Sequence, residues 1–169
     1  KIFREGMEVL DLGAAPGSWS LGAAERVGAQ GKVLACDIQS TVTVFPPNVE
    51  FHQEDVFQRS ELLSGSSPNG AFHVVMSDMA PQTTGTKFTD QPLLELCLEA
   101  LAVAEKYLVK GGSFVVKIFM GRTSGSCSKD APRFARVTSF KPQSSRVESK
   151  ETFFVGLGFK GKEADGARD

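Results

Sequence analysis

The segment at residues 8–20, EVLDLGAAPGSWS, limits the folds open to this chain more than any other stretch. An apolar run ends in an acid, crosses a bend of small residues and continues into a helical pattern. This order is typical of a buried parallel strand that leads into a ligand-binding loop. Gly13 and Gly17 permit backbone conformations that larger residues avoid, and they let a ligand approach the main chain. Ser18 is the predicted N-cap of the helix that follows.

The residues of this bend also indicate the kind of ligand. A dinucleotide-binding loop follows the pattern G-x-G-x-x-G, in which backbone N–H groups face a diphosphate. Here Ala15 stands at the second glycine position, and Pro16 has no N–H to donate. Both changes weaken a phosphate site, whereas the Asp11 carboxylate suits a cationic ligand such as S-adenosyl-L-methionine (SAM). A strand–helix turn without any ligand is the alternative interpretation.

Apolar runs alternate with helical patterns along the chain, which predicts an α/β fold. We expect a Rossmann-like, seven-stranded, mostly parallel sheet with an antiparallel edge strand, in a single domain over residues 1–169. The predicted strands are at residues 8–12, 32–37, 49–53, 72–77, 113–119, 134–140 and 152–157. The predicted helices are at residues 18–27, 57–64 and 90–108, and Gly111 and Gly112 are expected to end the last one. The polar tail from Gly158 is expected to be frayed.

Polar side chains occur at or near the carboxyl ends of five predicted strands. They are Asp11, Asp37, Asp55, Asp78 and Lys117. Because ligands of such sheets bind outside the carboxyl ends of the strands, these groups are candidates for one shared site. Asp37 has the position of a ribose-binding acid, a device that nicotinamide and SAM enzymes share. Asp55 could accept a hydrogen bond from an adenine amino group or cap the next helix.

Lys117 is an ammonium group inside an apolar strand. Burial disfavours its charge, and a nearby carboxylate would oppose that effect. We therefore interpret Lys117 as a functional residue. An edge-strand lysine that reaches solvent is the alternative.

Composition narrows the class of protein further. The net charge is −1, but residues 122–162 contain nine Lys and Arg against three Asp and Glu, which could face a polyanion or form a solvated surface. The three cysteines are scattered and suggest no disulfide framework or metal site. With no apolar run long enough for a membrane and no signal peptide, we expect an intracellular, reducing compartment, namely the cytoplasm or a mitochondrial or plastid matrix. Because the chain begins at Lys1, close to its first strand, we also expect further N-terminal sequence.

Four ordered motifs resemble the FtsJ-type ribose 2′-O-methyltransferases. They are DLGAAPGSWS at residues 11–20, SDMAP at 77–81 with Gly85, GGSFVVK at 111–117, and KPQSSR at 141–146 followed by SKE at 149–151. The resemblance spans nearly the whole chain. It implies a class I SAM-dependent methyltransferase fold, SAM as the cofactor, no metal, and as substrate a uridine ribose in large-subunit ribosomal RNA (rRNA).

The resemblance also implies roles for individual residues. By motif position, the SAM-contacting set is Gly17, Trp19, Asp37, Asp55 and Asp78, to which the bend residues Asp11 and Gly13 are added. Asp78, Lys117 and Glu151 correspond to three members of the family's Lys-Asp-Lys-Glu catalytic tetrad. The first lysine of that tetrad lies on a helix before the first strand, where this chain has no counterpart. Ser18 replaces the second glycine of the usual A-P-G-G-W.

These roles lead to a hypothesis of in-line methyl transfer to a ribose 2′-hydroxyl. Lys117 would act as the base or stabilise the developing alkoxide, Asp78 would orient Lys117 and the methyl donor, and Glu151 would position the ribose. Phosphates would be held by basic residues from the segment 122–162, with Arg122, Lys141, Arg146 and Lys150 as candidates. The expected partner is rRNA, in the large ribosomal subunit or its precursor, bound by a monomer without membrane contact.

Two other functions are compatible with the same fold. One is methylation of a protein or a small molecule, which fits the nearly neutral net charge but leaves Lys117 and Glu151 without a purpose. The other is a ribosome-assembly factor that binds RNA without turnover, because the first tetrad lysine is absent. A NAD-binding domain is disfavoured by Ala15 and Pro16.

Overall fold

The computed structural model describes residues 2–14, 17–54, 72–78, 90–119, 133–140 and 151–161. Seven strands and two helices lie in these ranges. In chain order they are β1 (Glu8–Leu12), α1 (Ser18–Val27), β2 (Lys32–Asp37), β3 (Val49–Gln53), β4 (Phe72–Ser77), α2 (Asp90–Tyr107), β5 (Leu108–Phe119), β6 (Phe134–Phe140) and β7 (Glu151–Phe159). The predicted helix at 57–64 falls outside the described residues.

The seven strands form one sheet in the order β3-β2-β1-β4-β5-β7-β6. The five strands from β3 to β5 in this order pair in parallel with their neighbours. β7 runs antiparallel to both of its neighbours. This arrangement confirms the predicted mostly parallel α/β sheet. The antiparallel strand lies one place in from the edge, because β6 pairs only with the outer side of β7.

The two helices cover opposite faces of the sheet. On one face, Ala23, Ala24 and Val27 of α1 pack against the centre of the sheet, including Val9 and Val74. On the other face, apolar residues of α2 pack with Leu10, Leu12 and a group of phenylalanines from β5, β6 and β7. Successive side chains of a strand point to opposite faces, and the central strands β1, β2 and β4 contribute to both clusters. The near-continuous apolar runs of the sequence reflect this two-sided burial.

The predicted bounds of α1 are confirmed, but its predicted N-cap and the predicted end signal of α2 are wrong. Gly17 is the N-cap of α1, without a side-chain hydrogen bond, and Ser18 is the first helical residue. The second helix ends at Tyr107, before the glycine pair, because Leu108 already pairs with Phe72 of β4. The glycine pair at 111–112 lies within β5, near a register shift in its pairing with β4.

The end of β7 also differs from the prediction of a frayed tail from Gly158. Phe159 is the last residue of the strand, and its side chain is buried. Its ring centroid lies 5.4 Å from that of Phe134, and the two residues pair across β6 and β7. The aromatic contact therefore extends the strand by two residues beyond the predicted end at 157.

The expectation of unpaired cysteines holds for Cys36 and fails for Cys97. Cys36 is a free, buried thiol on β2, and burial raises its pKa to about 12. Cys97, on α2, is disulfide-bonded. Within the ranges that the structure describes, no helix is both long and apolar enough to cross a membrane.

Candidate active site

The glycine bend after β1 directs its first N–H groups into the protein. The backbone N–H groups of Gly13 and Ala14 both donate to the carbonyl oxygen of Cys36, at 2.8 and 3.0 Å. Gly13 has a φ of 72° and Gly17 a φ of 122°, values that favour glycine. Because these two donors are used by the end of β2, they are not available to a phosphate. The geometry agrees with the sequence-based argument against a diphosphate ligand.

Asp11 lies beneath this bend and is completely buried. Its Oδ2 accepts a hydrogen bond of 2.6 Å from the Ser20 hydroxyl of α1, while its Oδ1 has no hydrogen-bond partner. Burial raises the pKa of Asp11 to about 7; the Ser20 hydrogen bond opposes this rise, and the charges of Asp78 and Asp37 add to it. The carboxyl group joins β1 to α1, and its burial does not support a role as an exposed charge facing a ligand.

Lys117 and Asp78 form an ion pair at the carboxyl ends of β4 and β5. Lys117 Nζ lies 2.7 Å from Asp78 Oδ1, and the two side chains are 23% and 28% exposed. Asp78 directly follows β4, and its N–H donates to the Leu12 carbonyl oxygen of β1 at 3.2 Å. The sequence-based alternative of an edge-strand lysine is wrong, because β5 lies between β4 and β7.

An aromatic pair lies next to this ion pair. The rings of Trp19, on α1, and Phe153, on β7, have centroids 5.6 Å apart and planes inclined by 32°. Phe153 is the direct backbone partner of Lys117 in the antiparallel pairing of β5 with β7. Opposed residues of an antiparallel pair point to the same face of the sheet. Trp19, Phe153 and Lys117 therefore share the face that α1 covers.

Asp37 ends β2, the neighbour of β1 in the sheet. One of its carboxylate oxygens, Oδ1, accepts the N–H of Gln39 at 2.9 Å, which fixes the carboxylate at the start of the following loop. The bend and the two acids Asp37 and Asp78 thus lie at the carboxyl ends of adjacent strands. Acids beside a bend whose Gly13 and Ala14 N–H groups are already bonded fit a cationic nucleoside such as SAM better than a diphosphate.

The structure does not test every predicted site residue. Asp55 and the four candidate phosphate contacts, Arg122, Lys141, Arg146 and Lys150, lie outside the described residues. For Glu151 the backbone alone is described: it is the first residue of β7 and pairs with Phe119. No cluster of His, Cys, Asp or Glu suited to a metal ion occurs in the described part of the chain.

Three residues of this region were missed by the sequence analysis. Ser20 binds Asp11, Phe153 lies beside Trp19, and Phe45 covers Gly17 from the loop after β2. Ser20 could have been considered, because it lies within the same motif as Asp11. The other two contacts join distant parts of the chain, and no local pattern in the sequence indicates them.

Comparison with known sequences places the chain in a named group. The sequence profile of the FtsJ-like methyltransferases matches residues 1–159. The "Ribosomal RNA large subunit methyltransferase E" of Nitratidesulfovibrio vulgaris is 66% identical over 173 residues, which cover 100% of this chain and 84% of that protein. The protein of the same name from Lawsonia intracellularis is 60% identical over 162 residues, covering 94% and 81% of the two chains.

Solved structures share the fold at lower sequence identity. A candidate ribosomal RNA methyltransferase from Plasmodium falciparum superposes with a TM-score of 0.77 at 24% identity, covering 94% of this chain and 90% of that one. A SAM-dependent O-methyltransferase from Thermotoga maritima gives a TM-score of 0.63 at 13% identity, covering 95% and 62%. At these identities the likeness concerns the fold alone, which is that of the class I SAM-dependent methyltransferases.

Proposed function

Because the chain belongs to the FtsJ-like methyltransferase family, we propose that it transfers the methyl group of SAM to a ribose 2′-hydroxyl of large-subunit rRNA, on a uridine. The observation that carries this proposal is the Lys117–Asp78 ion pair beside the glycine bend. Relatives at 60% and 66% identity are named as large-subunit rRNA methyltransferases, which supports the choice of substrate. The protein is an enzyme that uses SAM as its cofactor.

The residues that would hold SAM lie on three adjacent strands. Gly13 and Gly17 give close access to the main chain, Asp37 provides an acceptor for ribose hydroxyls, and Asp78 lies where the cationic end of the cofactor can approach. Asp11, Asp55 and Trp19 complete the predicted set. When bound, SAM supplies an electrophilic methyl group on a positively charged sulfur.

Lys117 is the residue that would act on the ribose hydroxyl. A carboxylate oxygen at 2.7 Å stabilises its ammonium form and fixes its position on the rim of the sheet. A fixed ammonium group could donate a hydrogen bond to the 2′-oxygen and stabilise the negative charge that develops there as the hydroxyl proton passes to solvent water. Asp78 acts through Lys117 by orienting it.

Glu151 and the basic residues remain proposals from the sequence. Glu151 begins the strand that pairs with the end of β5, so its backbone lies at the same end of the sheet as Lys117. We assign it to positioning of the ribose. Arg122, Lys141, Arg146 and Lys150 would contact phosphates, which makes RNA affinity fall as salt concentration rises.

We further propose a monomer that acts on the large ribosomal subunit or its precursor in the compartment that contains them. A binding factor without activity would not need an ammonium group held against a carboxylate at the cofactor site. Methylation of an amine or carboxylate would need less activation than a hydroxyl requires. The ion pair therefore favours the ribose reaction over both alternatives.

The experiment incubates the protein with methyl-labelled SAM and large ribosomal subunits that lack 2′-O-methylation. Nucleoside analysis of the recovered RNA should show labelled 2′-O-methyluridine at a single position. Subunits already modified by the active enzyme are the matched control and should take up no label. Label in ribosomal protein or on a base would contradict the proposal, and so would an absence of label when SAM binds.

A further inference from the structure

The loop between β2 and β3, residues 38–48, is fixed to α1 at its far end. The side-chain amide of Asn48 donates to the carbonyl oxygens of Ala24 and Gly28, both at 3.0 Å. These carbonyls belong to the last turn and C-cap of α1, and they also accept the backbone N–H groups of Gly28 and Gly31, at 3.1 and 3.0 Å. The loop therefore ends on a rigid attachment to the helix that begins at the glycine bend.

The start and middle of the loop are also ordered by hydrogen bonds. The Gln39 N–H is bound by Asp37 at the end of β2. Further along, the Thr43 N–H donates to Thr41 Oγ1 at 3.2 Å, and the two threonine hydroxyls lie 3.0 Å apart. Such local side-chain bonds hold a turn in one conformation.

From this loop, Phe45 packs directly on Gly17. A Cβ atom added to Gly17 would lie 2.7 Å from Phe45 Cε1 and 2.8 Å from Phe45 Cζ, and 3.4 Å from Thr43 Cγ2. The phenyl ring thus fills the side of Gly17 that a side chain would occupy in any other residue. The same ring stacks on Phe51 of β3, with centroids 5.6 Å apart and planes inclined by 17°. Phe45 therefore connects the glycine bend to a strand of the sheet.

We propose that Phe45 is a positioning residue that holds the glycine bend in its SAM-binding conformation. This inference rests on the proposed function, because it takes SAM as the ligand of the bend. Gly17 has a φ of 122° and no side chain of its own to restrict its backbone. A ring supported by Phe51 supplies that restriction from outside. A binding loop that is ordered before the ligand arrives loses less conformational entropy on binding, and its affinity is correspondingly higher.

A gate is the opposite interpretation of the same contact. If the Phe45 ring occupied space that SAM needs, it would have to leave, and its removal would strengthen binding. The stacking on Phe51 and the attachments at both ends of the loop argue for a fixed support. The two interpretations predict changes of opposite sign in SAM affinity.

The test compares three variants of the complete protein with the wild type by calorimetric titration with SAM. Phe45→Ala removes the ring, Phe45→Leu keeps an apolar side chain against Gly17, and Val44→Ala is the matched control, because Val44 is 91% exposed on the same loop. We expect Phe45→Ala to raise the Kd for SAM about tenfold. Phe45→Leu should recover most of this loss, and Val44→Ala should bind as the wild type does.

Kinetics with large ribosomal subunits separate positioning from a general loss of structure. In Phe45→Ala the KM for SAM should rise with the Kd, while kcat at saturating SAM and the KM for the subunits stay within about twofold. Unchanged or tighter SAM binding by Phe45→Ala would overturn the inference, as would an equal loss of kcat at saturating SAM. If the wild type bound no SAM, the proposed function would fail and this inference with it. Binding by the wild type with no effect of Phe45 would remove the inference alone.

Discussion

Lys117 is the residue to which we assign stabilisation of the ribose oxygen. Its neighbours in the second half of β5, residues 114–119, are apolar, and its ammonium is held by Asp78 at 2.7 Å. Lys117→Ala should reduce methyl transfer by about 10²–10⁴-fold, because the group that stabilises the developing alkoxide is lost. SAM affinity, measured by titration, should change little. The matched control is Lys110→Ala, which removes an exposed lysine from the same strand.

For this prediction the informative quantity is the rate at saturating SAM. Activity in Lys117→Ala close to that of the wild type would exclude the assigned role. Equal losses of activity in both lysine variants would point to a general charge effect on RNA binding.

Asp11 makes a prediction about stability. Its pKa is raised from 3.8 to about 7 by burial, so the folded protein holds this proton more tightly than the unfolded chain does. The contribution of Asp11 to the free energy of unfolding must then fall as pH rises from about 4 to about 7. Asp11→Asn removes the titration, so over this range the variant should gain stability relative to the wild type, by at most about 4 kcal/mol, at about 1.4 kcal/mol per unit of pKa.

Urea denaturation at several pH values measures this difference. Glu25→Gln on the exposed side of α1 is the control and should follow the wild type. Parallel pH profiles for Asp11→Asn and the wild type would show that Asp11 does not titrate as described. The same variant also tests the predicted cofactor role, since a carboxylate that contacts SAM would lower SAM affinity when neutralised.

Some features of the site can be predicted from the sequence of single residues, and others cannot. Asp11, Asp37, Asp78 and Lys117 could be identified because each follows or interrupts an apolar run, a local signal. The Lys117–Asp78 contact followed from parallel strands ending at one edge. The Phe45–Gly17 and Trp19–Phe153 contacts could not be predicted, because each depends on how a loop or a distant strand packs in three dimensions.

At the scale of elements, β6 and β7 show how a single glycine sets the distance between a strand and its neighbours. A Cβ atom on Gly156 would lie 2.9 Å from Phe134 Cγ and 3.0 Å from Phe134 Cδ1. The Phe134 ring cannot retreat easily, since it packs against Phe114 and Phe159 with centroids 6.3 and 5.4 Å away. Gly156→Ala should therefore lower the free energy of unfolding by about 1–3 kcal/mol.

The same substitution has the opposite expected effect in α1. A Cβ on Gly22 would meet no atom within 4 Å, and alanine is favoured over glycine inside a helix by up to about 1 kcal/mol. Gly22→Ala should thus stabilise the protein slightly, which chemical denaturation can measure beside Gly156→Ala. Equal effects of the two substitutions would show that packing at Phe134 is not the cause.

Most element bounds were predictable, including both ends of α1. The predicted bounds of β1 to β4 and of β6 are those observed, because apolar runs there are bounded by acids, glycines or polar turns. The start of β5 was misplaced at residue 113, because Gly111 and Gly112 resemble a helix stop, whereas the strand begins at Leu108, which pairs with Phe72. Tertiary pairing outweighed a local signal.

For the whole molecule, the position of β7 makes the sheet depend on the C-terminal part of the chain. β7 pairs with β5 on one side and β6 on the other, so β6 has no other strand to pair with. A variant ending at residue 150 should lose cooperative unfolding, as followed by circular dichroism. A variant ending at Gly161 keeps every described strand pairing and should unfold as the complete chain does.

A cooperative transition in the shorter variant would mean that the sheet from β3 to β5 is stable without β7. The strand order itself could not be derived from composition or periodicity. The apolar patterns of β6 and β7 do not show which of these two strands lies next to β5. The order is a property of long-range pairing.

The position of β7 between β5 and β6 has a consequence for folding during translation. During translation both strands that flank its place are made first, and the nineteen residues at 141–159 need about 1–4 s more at ~5–20 residues per second. For that interval the sheet of a nascent chain ends at β5, whose outer edge has backbone groups ready to pair with any extended peptide. The enzyme proposed to mature ribosomes would thus be most prone to misassembly in the interval before β7 is made.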